Sequence, residues 1–219
     1  MVAGWRCDNG DPYVGFPSEP LPSALLCICA YAQETPPKLK VSEQPLSEER
    51  VAVYRAVLKR YMKYFGDVLN LANETEPLDL SGPLFDESCV KGIALEKADN
   101  STPLVHKLGP SVAIGRNIVL LDPEQQELRI RENDFQNLLR KGAEQGKQVT
   151  DEELDKPLKQ GFATGLFSLS EMAFDKPHRH AIVIFNFVCG RLCGNGGIVI
   201  VKKGHDGWKA MKPGRGWIS

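Results

Sequence analysis

From Leu166 onward the apolar residues come in strand-length runs, and before that point they come mostly in a helical stripe. Val51, Tyr54, Leu58, Tyr61 and Phe65 fall at i, +3, +7, +10 and +14, with Arg50, Arg55, Lys59, Arg60 and Lys63 on the other sides. That spacing predicts one long amphipathic helix, stopped at Gly66. Ser47 stands where an N-cap belongs, Glu48 and Glu49 where the macrodipole favours acids, and Leu46 where it can staple against Val51. After Leu166 the pattern changes. Phe167, Leu169, Glu171 and Ala173 alternate against Ser168, Ser170, Met172 and Phe174, and Ala181–Val188 is almost uniformly apolar, as a strand covered on both faces is. Asn195-Gly196-Gly197 supplies a turn into Ile198–Lys203, and Gly204-His205-Asp206-Gly207 a second turn into Trp208. The expected fold class is therefore α+β: a C-terminal antiparallel β-meander of three to four strands packed against a long N-terminal amphipathic helix.

The stretch between is less patterned. Asp67–Thr75 reads as a strand, 76–99 as proline- and glycine-containing loop, and Val112–Leu121 as a strand pair broken at Gly115-Arg116-Asn117. Ile130–Gly142 reads as a second helix with Asn133 as its cap. A short third helix opens at Thr150, in capping-box register with Glu153, and ends before Pro157.

The N-terminal region changes the picture of where the protein works. Residues 1–22 are rich in glycine and proline without periodicity, and read as a disordered segment. Ala24–Ala32 is a short apolar run ending Ala30-Tyr31-Ala32, the core and small-x-small site of a secretory leader. It lies far from Met1 and lacks a basic flank, which a start codon assigned too far upstream explains; the alternative is a buried N-terminal element of a cytoplasmic protein. The expected organisation is thus a disordered segment and leader over 1–32, a linker over 33–45, and one α+β domain over 46–219. Export would place the mature protein in the periplasm or the medium, cut near Ala32.

Composition narrows the function classes. The 219 residues are 42% hydrophobic and 25% charged, with 27 basic and 28 acidic side chains and a formal net charge of −1. That balance argues against a broad nucleic-acid footprint. A local basic cluster of Lys202, Lys203, Lys209, Lys212 and Arg215 reads as a solvated strand face. No run approaches the ~18 apolar residues of a membrane-spanning helix. Phosphate-loop, nucleophile-elbow, zincin and CxxC motifs are missing from the sequence, so no cofactor is implied.

The candidate chemistry concentrates in Cys189–Gly197, two cysteines and four glycines among nine residues. Export makes Cys189 and Cys193 natural disulfide partners, and closing five residues contributes about 2 kcal/mol. Reduced structural thiols and a reactive thiol are the other two readings. In the third, Cys193 or Cys189 is the nucleophile of a thiol-dependent hydrolase or redox enzyme, activated by a neighbouring imidazole. His180 sits at the far end of the strand that ends at Cys189, roughly 30 Å away, which leaves His205 or His106 as the partner. His178 and His180 share one side of an extended segment at a spacing zinc uses, but a third ligand is lacking, so no metal site is assigned. Cys89 is left over as a buried free thiol. Arg191, Asn195, Trp208 and Trp217 are the binding candidates, the two indoles serving either as caps on the sheet core or as a lined groove.

The C-terminal residues resemble a known group. Phe174, the apolar strand Ala181–Val188, Cys189-Gly190, Leu192-Cys193-Gly194, Gly197, Val201-Lys202-Lys203, Trp208-Lys209 and the closing Trp217-Ile218-Ser219 are similar to the tail of an uncharacterised family of predicted exported bacterial proteins. Their ends read as an apolar strand, CGxLCGxG, a second strand, K, W and a final WxS. Glu49–Thr75, with Val53-Tyr54 and Asn73-Glu74-Thr75, resembles their opening helix and strand. The resemblance covers about half the mature chain and implies export and a shared fold, with no activity attached. The expected function is a non-catalytic domain that binds a small molecule or an unknown protein partner; the alternative is the enzyme using Cys193.

Overall fold

The computed structural model describes residues 39–64, 68–81, 90, 93–96, 104–113 and 117–219, with the backbone alone at 63 and 212–215. The expected leader, Cys7, Cys27, Cys29 and Cys89 lie outside the described residues.

Helix α1 runs Glu48–Tyr61 and continues as a single 3-10 turn, Met62–Tyr64. The Ser47 hydroxyl accepts from the Arg50 amide and caps its start, as its position predicts. Its buried face is wider than the stripe read from sequence: Val53, Tyr54, Val57, Leu58 and Tyr61 are all buried. Strand β1 (Lys40–Ser42) precedes it and pairs in parallel with β3 (Leu104–His106) in a separate two-stranded sheet.

The main sheet has six strands in the order β4-β2-β5-β6-β7-β8. β2 (Leu69–Ala72) lies parallel to β4 (Ile118–Leu121) and to β5 (Leu166–Phe174). β6 (His180–Gly190), β7 (Cys193–Gly204) and β8 (Gly207–Ile218) then follow β5 as antiparallel neighbours. The expected fold class is corrected by this topology. The sheet is six-stranded and mixed, not a meander of three or four antiparallel strands. The first helix is a fourteen-residue element preceded by a strand, and three more helices accompany it among the described residues, which do not include the expected stop at Gly66. Strands are expected within Asp67–Thr75 and at Ile118–Leu121, where β2 and β4 lie; their parallel pairing into the main sheet is not, because it joins elements across long connections and leaves no local signal.

Those helices also depart from expectation. The stretch read as one helix over Ile130–Gly142 is two, α2 (Pro123–Glu132) and α3 (Gln136–Glu144), divided at Asn133-Asp134. Asp122 caps α2, and Asn133 ends it instead of beginning the next. Helix α4 (Asp151–Thr164) has the expected Thr150–Glu153 capping box but passes through Pro157. Proline at the seventh position removes a backbone donor, and the first four amides of a helix have no intrahelical partner, so the loss falls only a turn beyond them. The expected strand at Val112–Ile114 is a turn at Val112, which is fully buried.

The sheet has two differently covered faces. Phe167, Leu169, Phe185, Phe187, Val183, Val199 and Val201 join Val53, Tyr54, Val57 and Leu58 of α1 in the main core. On the other face Ile182, Ile184 and Ile198 pack with Leu78, Leu80, Val90, Ile93 and Leu95. A β-bulge at Ser170 and Glu171 interrupts the β5–β6 register between Leu169 and Met172. The Ser170 hydroxyl accepts from the Ile184 amide, and Tyr54 donates to the Ser170 carbonyl, so the bulge is hydrogen-bonded from both sides.

Gly196 explains part of the glycine-rich loop. It stands opposite Trp217 across β7 and β8 and opposite Asn186 across β6 and β7. A Cβ there would overlap the Trp217 indole nitrogen and the Asn186 amide oxygen, and at Gly194 it would press on the far edge of the same indole. The ring lies over two glycines. Gly196→Ala is expected to destabilise the fold by about 1–3 kcal/mol through overpacking, read as a lower urea midpoint. Gly204→Ala, where the nearest atom is 3.7 Å from the added carbon, serves as control. Equal midpoints for the two variants would refute the seat for Trp217.

Candidate functional site

The residues singled out from the sequence separate into two groups at opposite ends of the β7–β8 ribbon. Cys189 and Cys193 are joined in a disulfide with their Cα atoms 5.0 Å apart. The bond closes the β6–β7 turn, so neither sulfur is a free thiol. Gly161 of α4 lies against the Cys189 carbonyl, and Gly165, just after that helix, lies against the Cys189 side chain. The buried Asp134 carboxylate accepts from the Arg191 amide and from the Gln136 amide at the start of α3. Arg191 itself is exposed. Asn195 shares the face of Phe187, its register partner, and its amide oxygen is buried without a hydrogen-bond partner. Trp217 is on the opposite face and donates to Asn186 at 3.4 Å. Arg191, Asn195 and Trp217 therefore do not converge. Each is accounted for by the turn and the sheet around it.

Trp208 and His205 lie at the other end, roughly 35 Å along the strands. There the second half of α1 faces the β7–β8 turn across an open cleft of about 530 Å³. Ala56, Trp208, Ala210 and Met211 form its apolar lining, and Lys59, Arg60 and Lys203 its cationic lining, with Asp206 the one acid; Lys202 and Lys209 border it along the strands, with their side chains carried by the register to the opposite face. Lys203 pairs with Glu49 at 2.7 Å and its ammonium lies 5.4 Å from the Trp208 ring centre. Arg60 reaches the Ala210 carbonyl. Lys59, Lys202 and Lys209 have no acidic partner among the described residues. The sequence signal was present in Lys202-Lys203 and Lys209 flanking Trp208, but the contribution of Lys59 and Arg60 depends on where the helix is seated.

The histidines are held by carboxylates. His178 adopts a left-handed backbone (φ 50°), stacks on Phe174 at 4.7 Å, and contacts Glu49 at 3.0 Å and Glu96 at 3.5 Å. His180 meets Asp175 at 2.8 Å. The two rings, expected on one side of an extended segment, are turned to different acids because 176–179 is a turn. No cluster that could hold a metal is found among the described residues. His106 forms part of a knot that the sequence did not reveal. Glu171, aimed by the bulge, accepts from Thr75 at 2.5 Å and meets His106 at 2.8 Å through one oxygen, and meets Arg50 at 2.6 Å through the other. These groups are far apart in sequence, and only the bulge, invisible to an alternating pattern, brings Glu171 to them.

Burial opposes ionisation of Asp175, yet amide hydrogen bonds from His180 and Arg179 and the His180 ring hold its carboxyl below the ordinary value. Glu49 is lowered by its hydrogen bonds to Lys203 first and His178 second. His178 is raised, chiefly by Glu49. Burial pushes Tyr54 well above the usual phenol range and Tyr61 up to about 12. In comparisons with protein-family models, curated proteins and solved structures, nothing matches the chain.

Two expectations follow. The raised His178 contributes stability that is complete below its unfolded value of 6.5 and lost as pH rises through the folded one. The lowered Glu49 contributes stability that is complete above 4.5 and lost as pH falls through its folded value. Their link is therefore strongest between those two pH values. An NMR titration should place His178 above 6.5, and Glu49→Gln should return it toward that value; an unchanged His178 in the variant would break the assignment. Reducing the disulfide should lower unfolding stability by about 2 kcal/mol, measured by urea denaturation with and without dithiothreitol. Superimposable curves would show that the bond only shapes the turn.

Proposed function

We propose that the chain is a non-catalytic binding domain of an exported protein, and that it takes a small anionic ligand in the cleft between α1 and the 204–207 turn. The observation that carries this reading is the cleft's lining, in which cations outnumber the single acid and stand around an indole. Its volume is within the range usual for small-molecule sites, and a few charged groups set on an apolar floor are what such sites use for orientation. Lys59 stands at this cleft without an acidic partner among the described residues, a charge that an anion neutralises.

Export is supported by the disulfide, since such bonds persist in oxidising compartments, and by the leader pattern of 24–32. No helix among the described residues is long and apolar enough to cross a membrane. The resemblance of the C-terminal tail to exported bacterial proteins agrees with a periplasmic or secreted protein. The enzyme reading needs a thiolate at Cys193, and that sulfur is bonded to Cys189.

Titration with pyrophosphate, followed by amide NMR, tests the ligand class. Shifts are expected at Lys59, Lys203 and the Trp208 indole. Lys59→Ala should weaken binding roughly ten-fold, about 1.5 kcal/mol for one hydrogen bond between charged groups, while Arg191→Ala at the far end leaves it unchanged. Shifts confined to the Arg191–Asn195 loop, or none at all, would refute the cleft as the site.

A further inference from the structure

The β7–β8 ribbon carries cations on both faces, and the cleft accounts for only one of them. Val201 and Ala210, which are register partners, belong to the core beneath α1. The alternation of a strand then puts Lys203 and its partner Trp208 on the helix face. Lys202 and its partner Lys209 fall on the other face, the one to which Ile200 belongs. Like charges directly opposite one another weaken a β-ribbon, and neither lysine has an acidic neighbour among the described residues. An anion seated against Lys59 and Trp208 is separated from this pair by the ribbon itself.

Residues 202–207 are all exposed, and the turn Gly204-His205-Asp206-Gly207 presents no bulky apolar side chain. Behind it stand Trp208, partly exposed, and Met211, 45% exposed. We propose that this ribbon end is a contact site for an anionic lipid surface, which it meets end-on so that Lys203 and Lys59 on one side and Lys202 and Lys209 on the other all reach headgroups. A bound small anion engages one face; a layer of regularly spaced negative charge engages both. A soluble linear polyanion lying along the cleft meets the helix face, whereas the register puts the Lys202 and Lys209 side chains on the other. An indole and a thioether beside lysines suit the boundary between headgroups and acyl chains, where apolar stems enter and ammonium groups stay in water. Cationic side chains near such a surface contribute about 1 kcal/mol each, so losing two lowers the partition coefficient roughly thirty-fold.

The inference rests on the same ribbon as the cleft but on different residues, which lets one experiment separate them. The protein is sedimented with large unilamellar vesicles of phosphatidylcholine alone and with 40% phosphatidylglycerol (~ by composition, a charge density typical of an anionic leaflet). Binding is expected to the anionic vesicles only and to fall as salt is raised. Lys202→Gln/Lys209→Gln should lower it by roughly thirty-fold while the Trp208 response to pyrophosphate persists. Lys59→Ala should weaken the pyrophosphate response more than it weakens vesicle binding. Binding to neither vesicle overturns the lipid contact and leaves the cleft untouched. Vesicle binding unaffected by the double variant overturns the assignment to this ribbon. Retention by dextran sulfate with no vesicle binding assigns the lysines to a soluble polyanion and equally sinks the proposal. Thermal unfolding of the double variant shows that it folds, since removing a like-charge pair is expected to hold or raise its midpoint.

Discussion

The seating of α1 on the inner face of the sheet is the contact on which the rest of this structure depends. Val53, Tyr54, Val57 and Leu58 are fully buried there against Phe167, Leu169 and Val199. Burying each large aliphatic or aromatic side chain contributes on the order of 1.5–3 kcal/mol, so this interface outweighs any single polar contact in the molecule. The polar contacts fix its orientation. Tyr54 donates to the carbonyl of the bulge, Arg50 pairs with Glu171 beside it, and Glu49 ties the helix start to Lys203 and His178. With both rotation and tilt set this way, the last turn of α1 has only one place to go. It faces the end of the β7–β8 ribbon, and the cleft is the space left between them.

The two ends of the ribbon consequently differ in how fully their groups are paired. At the disulfide end the parts are mutually explanatory. Asp134 links the turn to α3, Gly161 and Gly165 let α4 approach Cys189 and Phe187, and Gly194 and Gly196 make room for Trp217. At the other end cations outnumber acids, with Lys203 tied to Glu49 and with Asp206 in the turn, and the like-charged pair Lys202–Lys209 runs against the ordinary preference of a sheet. Local rules are broken at the lysine end of the ribbon and satisfied at the disulfide end.

A net charge of −1 conceals this segregation. The acids are spent in specific places: at helix starts, as Glu48, Glu49 and Asp151 to Glu153, and in the knots around Glu171 and Asp175. Among the basic residues left over, Lys59, Lys202 and Lys209 lie around the cleft and the ribbon end. Composition sums over both and so reports neither, which is why a near-neutral chain can present a distinctly positive end.

Much of this was decided by the sequence alone. The capped start of α1, the capping box of α4, the long antiparallel run from Phe167 to Trp208 and the Cys189–Cys193 pairing all arise from interactions within a few residues or between consecutive strands, where spacing is sufficient information. The strands at 69–72 and 118–121 were readable as strands, but their parallel pairing, the division of α2 from α3 and the passage of α4 through Pro157 were not, because these come from packing against distant elements that outweighs weak local propensity. The same reasoning governs the candidate site. Trp208 and the lysines beside it were visible, but nothing in their spacing marks a cleft, whereas the Cys189–Cys193 loop is conspicuous in sequence. That Lys59 and Arg60 join Lys203 and Trp208, that Lys202 and Lys209 point the other way, and that Glu171 meets His106 and Arg50 were settled only by the tertiary structure. Each depends on the face a side chain takes when a helix docks or a strand bulges, and a shift of one residue would have put it on the opposite side.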